Sequence, residues 1–536
     1  MSKSISSLIL MGSAVLVTGC NFEEEIKDTS NAYYGDFSSD NVFVINLDKM
    51  KLEKNIKGGL GPYGLEPVGH KYLVSLTRKD TSIDIIDIDK KEKIITIELG
   101  YQPREVTTNP SKTYTVVSGR DIAAHTLINT QNGKVVKHFD RNKTKVNVTD
   151  FGGQNATGHP FFVNDSQYLI LDRPSREIRL YHVAYGLQDI LNTKTSMHHI
   201  LRKGDDLFVA MEGSGTSSQF TSPGVMKIQI NYGKIIYDKT AYIENELVDS
   251  LGIHHINFHY DARHIYTGSN NGKVYVIDTN TMRVVDKFES GYGGGHTDFS
   301  PKHKRAVITN HKSNFITLVD VSNPRNNKVL KHTKVANFAK GPALQGHTQV
   351  IGDDENHFYG AATNDGKFFE VSMKTGNVTR TLNLGGELQQ GFMFQSPEGG
   401  FAKPDTKFAS STYSLTNLST LKVLAATGKT VNTNHWFANK NQGWDIRVRH
   451  DGFVNLVNRE SKKCLQKSQD FDLLTMKKCN NKRKSQMWTL KPDFTNTKNH
   501  VVNRLNGKCL TASYYGQPQL ENCSYRNHWL VKKAPY

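Results

Sequence analysis

Residues 274–291 read VYVIDTNTMRVVDKFESG: an alternating apolar run, a polar turn, then a second alternating run. Val42 to Gly58, VFVINLDKMKLEKNIKG, lies on it almost residue for residue. Ile83 to Gly100, Ile316 to His332 and Phe368 to Gly385 do the same. Each is a strand, a turn and a strand. A further strand pair precedes each one, as in HTDFSPKHKRAVITN at 296–310. Four short strands in a unit of 40–56 residues describe a β-propeller blade. Complete units begin near residues 60, 101, 155, 195, 251, 292 and 343, which makes seven. The strand pair at 42–57 is left over at one end, and Gln390 to Pro404 at the other. Joined, they make an eighth blade closed by both ends of the chain, which removes the open sheet edges. The expected fold is all-β: an eight-bladed propeller over residues 41–404, with seven blades as the rival, followed by a second domain.

The remaining composition agrees. The chain has 536 residues, 37% hydrophobic and 10% aromatic, enough for two or three packed domains and against a disordered chain. Gly numbers 43 and Pro 15, which suits many tight turns. Net charge is +17, but residues 411–536 hold 21 Lys/Arg against 7 Asp/Glu and therefore +14 of it. A basic module follows a nearly neutral body. Its charge serves either solubility or contact with acidic glycan, lipopolysaccharide or membrane phosphate. The Ala306-Val-Ile-Thr-Asn stretch resembles YVTN-type propeller repeats.

Ile5 to Val17 is apolar apart from small residues, with Lys3 before it and Val17-Thr18-Gly19-Cys20 after it. This resembles a bacterial lipoprotein signal with its lipobox. The resemblance implies removal of residues 1–19 and acylation of Cys20, with residues 20–40 as a lipidated tether. Asn21 is not the Asp of inner-membrane retention, so the expected location is the outer membrane, on its periplasmic face or at the cell surface. Apart from Cys20 the cysteines are Cys464, Cys479, Cys509 and Cys523. Their even number, exported context and spacings of 15 and 14 point to two local disulfides, Cys464–Cys479 and Cys509–Cys523. No CxxC or close His pair accompanies them, which counts against zinc there.

Aligning the blade starts on His296 brings one position into focus: Tyr63, Glu105, His159, His199, His255, His296, His347 and, in the eighth blade, Phe392. The innermost strand of every blade lines the channel. Five consecutive blades therefore place an imidazole at one level, after Glu105 in the blade before. Imidazole suits zinc and copper, and three or four nitrogens hold zinc tetrahedrally. A polar, water-filled mouth and an anion site of protonated histidines are the alternatives. Strand alternation is expected to turn His198 and His254 away from the ring. The loops after the second strands carry Arg78, Arg173, Asp172, Glu212 and His311 on the same face. Glu105, Asp172, Glu212 and His311 are candidates to complete the coordination or to orient the ligands. The arrangement resembles the periplasmic propeller metallochaperone that delivers zinc to a transporter's binding protein. It resembles more loosely the copper-cluster propeller of nitrous oxide reductase, whose cupredoxin domain this chain lacks.

In the basic module, Gln442-Gly-Trp444, Gln486-Met-Trp488 and Asn527-His-Trp529 end successive units. VNRESKKCL from Val457 and VNRLNGKCL from Val502 begin the second and third. This resembles a ricin-type β-trefoil with QxW repeats, over residues 411–536 after a linker at 405–410. In such lectins an Asp follows the Cys-Leu pair and an aromatic precedes the second Cys. Here those places hold Gln466 and Lys477, then Thr511 and Glu521, so the galactose site is altered. Tyr514, Tyr515 and Lys477 are the remaining candidates for glycan contact, and the basic run from Lys477 to Lys484 suits an acidic polymer. Nucleic acid is not an expected partner for an exported lipoprotein.

Three functions follow. The first is a non-enzymatic envelope protein that binds zinc, or else copper, through His159, His199, His255, His296 and His347. Such a protein passes the metal to a transport partner. The second is a metal-dependent polysaccharide enzyme with Glu105 as base. The third is a scaffold or adhesin. No Ser-His-Asp, P-loop or HExxH signature is present, so the reading leans away from an enzyme.

Overall fold

The structure is a computed structural model. It describes residues 31–536 except 69–71, 89, 110–112, 121, 131, 146–157, 204, 214–221, 244–251, 338–349, 352–354, 397–398, 401–411, 449–452, 469–471, 493–497, 513–516, 525–526 and 535–536. Cys20, His347, Tyr514, Tyr515 and the 405–410 linker therefore lie outside the described residues.

Seven sheets each take four consecutive antiparallel strands, and an eighth joins the two ends of the propeller segment. The first strands of blades 1 to 7 are Pro62–Val68, Pro103–Thr108, Phe161–Phe162, Met197–Lys203, Ile253–Phe258, Gly294–Ser300 and Val350–Ile351. First strands of neighbouring blades pack on one another, as blade 4 on blade 5 and blade 5 on blade 6, which places them around the central channel. Burial falls outward. In blade 5 the third strand, Lys273–Asp278, is buried after its first residue, whereas every residue of the fourth, Arg283–Glu289, is half-buried or exposed. The repeated hairpin has one cause. Met50, Lys91, Met282 and Gly376 hold the same left-handed position between third and fourth strands, with φ of 47°, 55°, 50° and 70°. Just beyond it the pairing register shifts by one residue in each of these blades. A left-handed turn residue followed by a bulge is a standard hairpin closure.

Blade 8 has five strands, in order Gly399–Gly400, Leu388–Ser396, Asn31–Asp36, Asn41–Asn46 and Lys51–Lys57. Closure by both ends is as expected, but its composition corrects the tether reading. Residues 31–36 form a strand and not a polar tether. Ala32 to Asp36 are buried, and Tyr33 and Tyr34 belong to the core shared with blades 1 and 7. Asp36 fastens the joint by accepting the Glu387 amide at 2.7 Å and the Ser38 amide at 3.0 Å.

The C-terminal domain is a closed barrel of six strands: Thr412–Asn417, Trp444–Val448, Val454–Asn458, Trp488–Pro492, Asn499–Asn503 and His528–Lys533. The last pairs with both the first and the fifth, which closes the ring. Three hairpins cap it, as in a β-trefoil. Trp444, Trp488 and Trp529 are fully buried, and each indole N–H donates to a hairpin carbonyl: Leu424 at 2.9 Å, Leu465 at 3.0 Å and Leu510 at 2.8 Å. Disulfides join Cys464 to Cys479 and Cys509 to Cys523.

Candidate metal centre at the mouth of the propeller

An irregularity at the start of the inner strands makes the site. In blade 4, Met197 pairs with Met211 and Ile200 with Val209, so His198 and His199 together face one residue, Ala210. In blade 5, Ile253 pairs with Ser269 and Ile256 with Thr267, which sets His254 and His255 against Gly268. Gly295 and His296 repeat this in blade 6, and Arg104 and Glu105 in blade 2. Such a β-bulge breaks side-chain alternation and re-aims the strand. Two neighbouring residues of one strand therefore both reach the channel mouth. This corrects the expectation for His198 and His254, which join the cluster. The same registers correct two other positions. Gly64, not Tyr63, matches His255 in blade 1, and Gln390, not Phe392, does so in blade 8.

Seven imidazoles form one connected group. His255 is its hub, with ring centroids 5.4 Å from His159, 5.0 Å from His198, 5.0 Å from His199, 4.4 Å from His254 and 3.9 Å from His296. His198 and His254 approach to 3.8 Å. His311 arrives from the loop after the second strand of blade 6, 6.3 Å from His296 and 6.0 Å from His254. Gly295 admits it, because a Cβ there would collide with the His311 ring. The donor atoms of His159, His198 and His255 all lie within 4.8 Å of one another, and so do those of His198, Glu212 and His254. His255 is 3% exposed, and its Nδ1 has no hydrogen-bond partner among the described residues. Burial, then the neighbouring imidazoles, push His254 and His255 well below the usual histidine range. Both are neutral at physiological pH, the form that binds a metal.

Charged groups wall the other side. Burial by itself would raise the Glu212 carboxyl, but Arg173 and Ser196 hold it below its ordinary value. The Arg173 guanidinium meets it at 2.6 and 2.9 Å, and the Ser196 hydroxyl donates at 2.6 Å. Glu212 Oε1 is 3.5 Å from His198 Nδ1 and so helps to orient that ring. Glu105 lies 3.6 Å from His159 Nδ1 and 3.4 Å from Arg78, whose guanidinium covers the Tyr63 ring. Arg104 sits 3.4 Å from His198 Nδ1. Burial and nearby Arg173 push its guanidinium down to about 9, with Glu105 opposing.

The structure thus brings together His159, His199, His255, His296, Glu105, Glu212 and His311 from the sequence reading, and adds His198 and His254. Asp172 is not among them. Its carboxylate faces Arg179 at 3.4 Å and accepts the Ser175 amide at 3.2 Å, inside its own hairpin. The missed histidines had a sequence signal, since both sit in His-His pairs. In the trefoil, Gln466 accepts a hydrogen bond from Gln486 at 2.8 Å, and Thr511 accepts one from Asn527. The residues in the lectin Asp positions are therefore tied into the QxW framework. Lys477, Lys478 and Lys482 are exposed, but Lys484 is buried, which removes it from the basic surface. Trp436 and Phe437 are exposed aromatics of the first lobe that the sequence reading did not offer as ligands.

A family model described as a ricin-type β-trefoil lectin domain-like unit matches residues 440–522. No curated protein gives a significant match. Among solved structures, apo AztD from Citrobacter koseri superposes with a TM-score of 0.49 at 12% identity, over 68% of this chain and 97% of that one. Hydrazine synthase from Kuenenia stuttgartiensis gives 0.41 at 13%, over 59% and 98%. The dihydro-heme d1 dehydrogenase NirN in complex with DHE gives 0.46 at 14%, over 77% and 74%. At such identities and scores these likenesses carry nothing about activity. What the chain does rests on its own histidines and on a C-terminal domain similar to the ricin-type trefoils.

Proposed function

We propose that this protein is a cell-envelope lipoprotein that binds a transition-metal ion, zinc or else copper, in the histidine cluster of its propeller, and hands it to a transport partner. The observation that carries the reading is the convergence of donors on half-buried His159 and buried His198 and His255 from three blades, within 4.8 Å of one another. Tetrahedral zinc with bonds of 2.0–2.1 Å needs nitrogens about 3.3 Å apart, so small ring rotations suffice. The donor set is nitrogen with carboxylate nearby and no thiolate, which suits zinc or copper(II). The Nδ1 of His255, buried in the middle of the cluster without a hydrogen-bond partner among the described residues, is a donor that a metal can take up. Acylation at Cys20 would hold the chain on the outer membrane, and the exposed lysines of the trefoil fit an acidic glycan or lipopolysaccharide. The test is metal analysis and zinc competition titration of wild type, a His198→Ala/His255→Ala variant and a His182→Ala/His500→Ala control. We expect the cluster variant to lose at least a hundredfold in affinity and the control to match wild type. Equal affinity in all three overturns the reading. Incorporation of labelled palmitate that persists in Cys20→Ser would overturn the anchor.

A further inference from the structure

Arg104 poses a question that the histidines do not answer. It occupies in blade 2 the bulge position that His198 and His254 occupy in blades 4 and 5. It is 4% exposed, and its Nε has no hydrogen-bond partner among the described residues. Among the described residues its side chain makes one hydrogen-bond contact, with His198 Nδ1 at 3.4 Å. Glu105 and Glu212 both attract its charge, but among the described residues neither makes a direct ion pair with it. Glu212 is engaged by both arms of Arg173 and by Ser196. Glu105 is engaged by Arg78 and faces His159. Arg78 adds a second buried Nε without a partner among the described residues, on the adjacent blade, and one of its Nη groups donates to the Arg104 carbonyl at 3.1 Å. Two buried guanidiniums, Arg104 and Arg173, and the half-buried Arg78 thus stand against the carboxylates of Glu105 and Glu212. A buried guanidinium that no carboxylate contacts directly is costly to keep charged.

We propose that the arginine side of the mouth, Arg104 with Arg78, is an anion subsite that takes a small oxyanion, a carboxylate or a phosphate group. The planar fork of each guanidinium matches such a group. Because Arg104 touches His198, an oxyanion held there lies beside any metal on the cluster and can close its coordination. That second part rests on the metal-binding reading, whereas the subsite itself does not.

The experiment is calorimetric titration of the full-length protein in detergent with inorganic phosphate and with acetate, at constant ionic strength. Both are run on metal-free protein, and acetate is repeated on zinc-loaded protein. Variants are Arg104→Met and Arg104→Lys, the second keeping the charge where the first fails to fold. In metal-free wild type we expect saturable binding of at least one anion, weakened tenfold or more in each variant. Phosphate binding without acetate assigns the subsite to phosphate, and the reverse assigns it to carboxylate. No binding of either, or equal binding in the lysine variant, overturns the subsite. Acetate binding that zinc leaves unchanged overturns only the bridging role. Failure of zinc itself to bind counts against the metal reading and leaves the subsite standing.

Discussion

Replacing His255 by Leu separates a ligand from a packing residue. The side chain is 3% exposed and surrounded by imidazoles, and its Nδ1 makes no hydrogen bond among the described residues. A buried polar atom left unsatisfied costs about 1–3 kcal/mol, and an apolar residue of similar volume recovers it. Shape mismatch of Leu against His takes back up to about 1.5 kcal/mol. The net lies between about −0.5 and +3 kcal/mol, so the metal-free variant should be about as stable as wild type or more stable. For a domain this large, each kcal/mol moves Tm by about 2–4 °C or less, so the expected change runs from a slight fall to a rise of several degrees. Zinc reverses the order. At a hundred to a thousand times Kd, a ligand that binds only the folded state stabilises by about 2.7–4.1 kcal/mol. Losing a ligand that costs tenfold to a hundredfold in affinity removes about 1.4–2.7 kcal/mol of this. Scanning calorimetry with chelator and then with zinc reads both numbers. A Leu variant that melts several degrees below wild type in chelator, yet keeps the full zinc shift, would refute the reasoning. His255 would then be a structural residue, and the missing hydrogen bond would carry no meaning.

Acid should unfold the propeller through its neutral histidines. Burial lowers His125 to about 3, so its folded pKa lies below the unfolded 6.5. Its contribution is complete above pH 6.5 and is lost as pH falls from there toward 3, a few kcal/mol in all. His125→Gln should flatten the fall of Tm with pH in that window, and an unchanged slope would count against it. Glu212→Gln leaves Arg173 buried opposite a neutral amide, and should cost about 3–5 kcal/mol in urea unfolding; a loss under about 1 kcal/mol would show that the pair is unimportant. If the trefoil holds lipopolysaccharide or another acidic glycan, Lys477→Glu with Lys478→Glu and Lys482→Glu should weaken binding at least tenfold, most strongly at low salt. The same effect from Lys484→Gln, at a buried position, would instead indicate misfolding.

Much of this protein was legible from one strand of text. Repeated hairpins announce themselves because each blade buries the same face against the next, so a common pattern of apolar and turn residues recurs. The QxW units and the cysteine spacing are local in the same sense. Their partners lie within one lobe, and both disulfides and all three buried tryptophans are found there. The histidines at blade starts were also visible, since the repeat supplies their alignment.

What the repeat did not contain was register. The strand at residues 31–36 went unread because both its faces are buried, so Ala32 to Asp36 show no alternation. Its partner strand, Leu388–Ser396, lies some 350 residues away along the chain. His198 and His254 were assigned to the wrong side because period-two reasoning holds only for an unbroken ladder. The bulge exists only relative to Ala210 and Gly268 on the paired strand. Likewise the empty place at Gly295 is seen only once His311 fills it. Local pattern determined which segments become blades and which residues begin them. Pairing between distant segments decided which side chains share the channel, because a one-residue offset in a ladder reverses the face on which a side chain emerges.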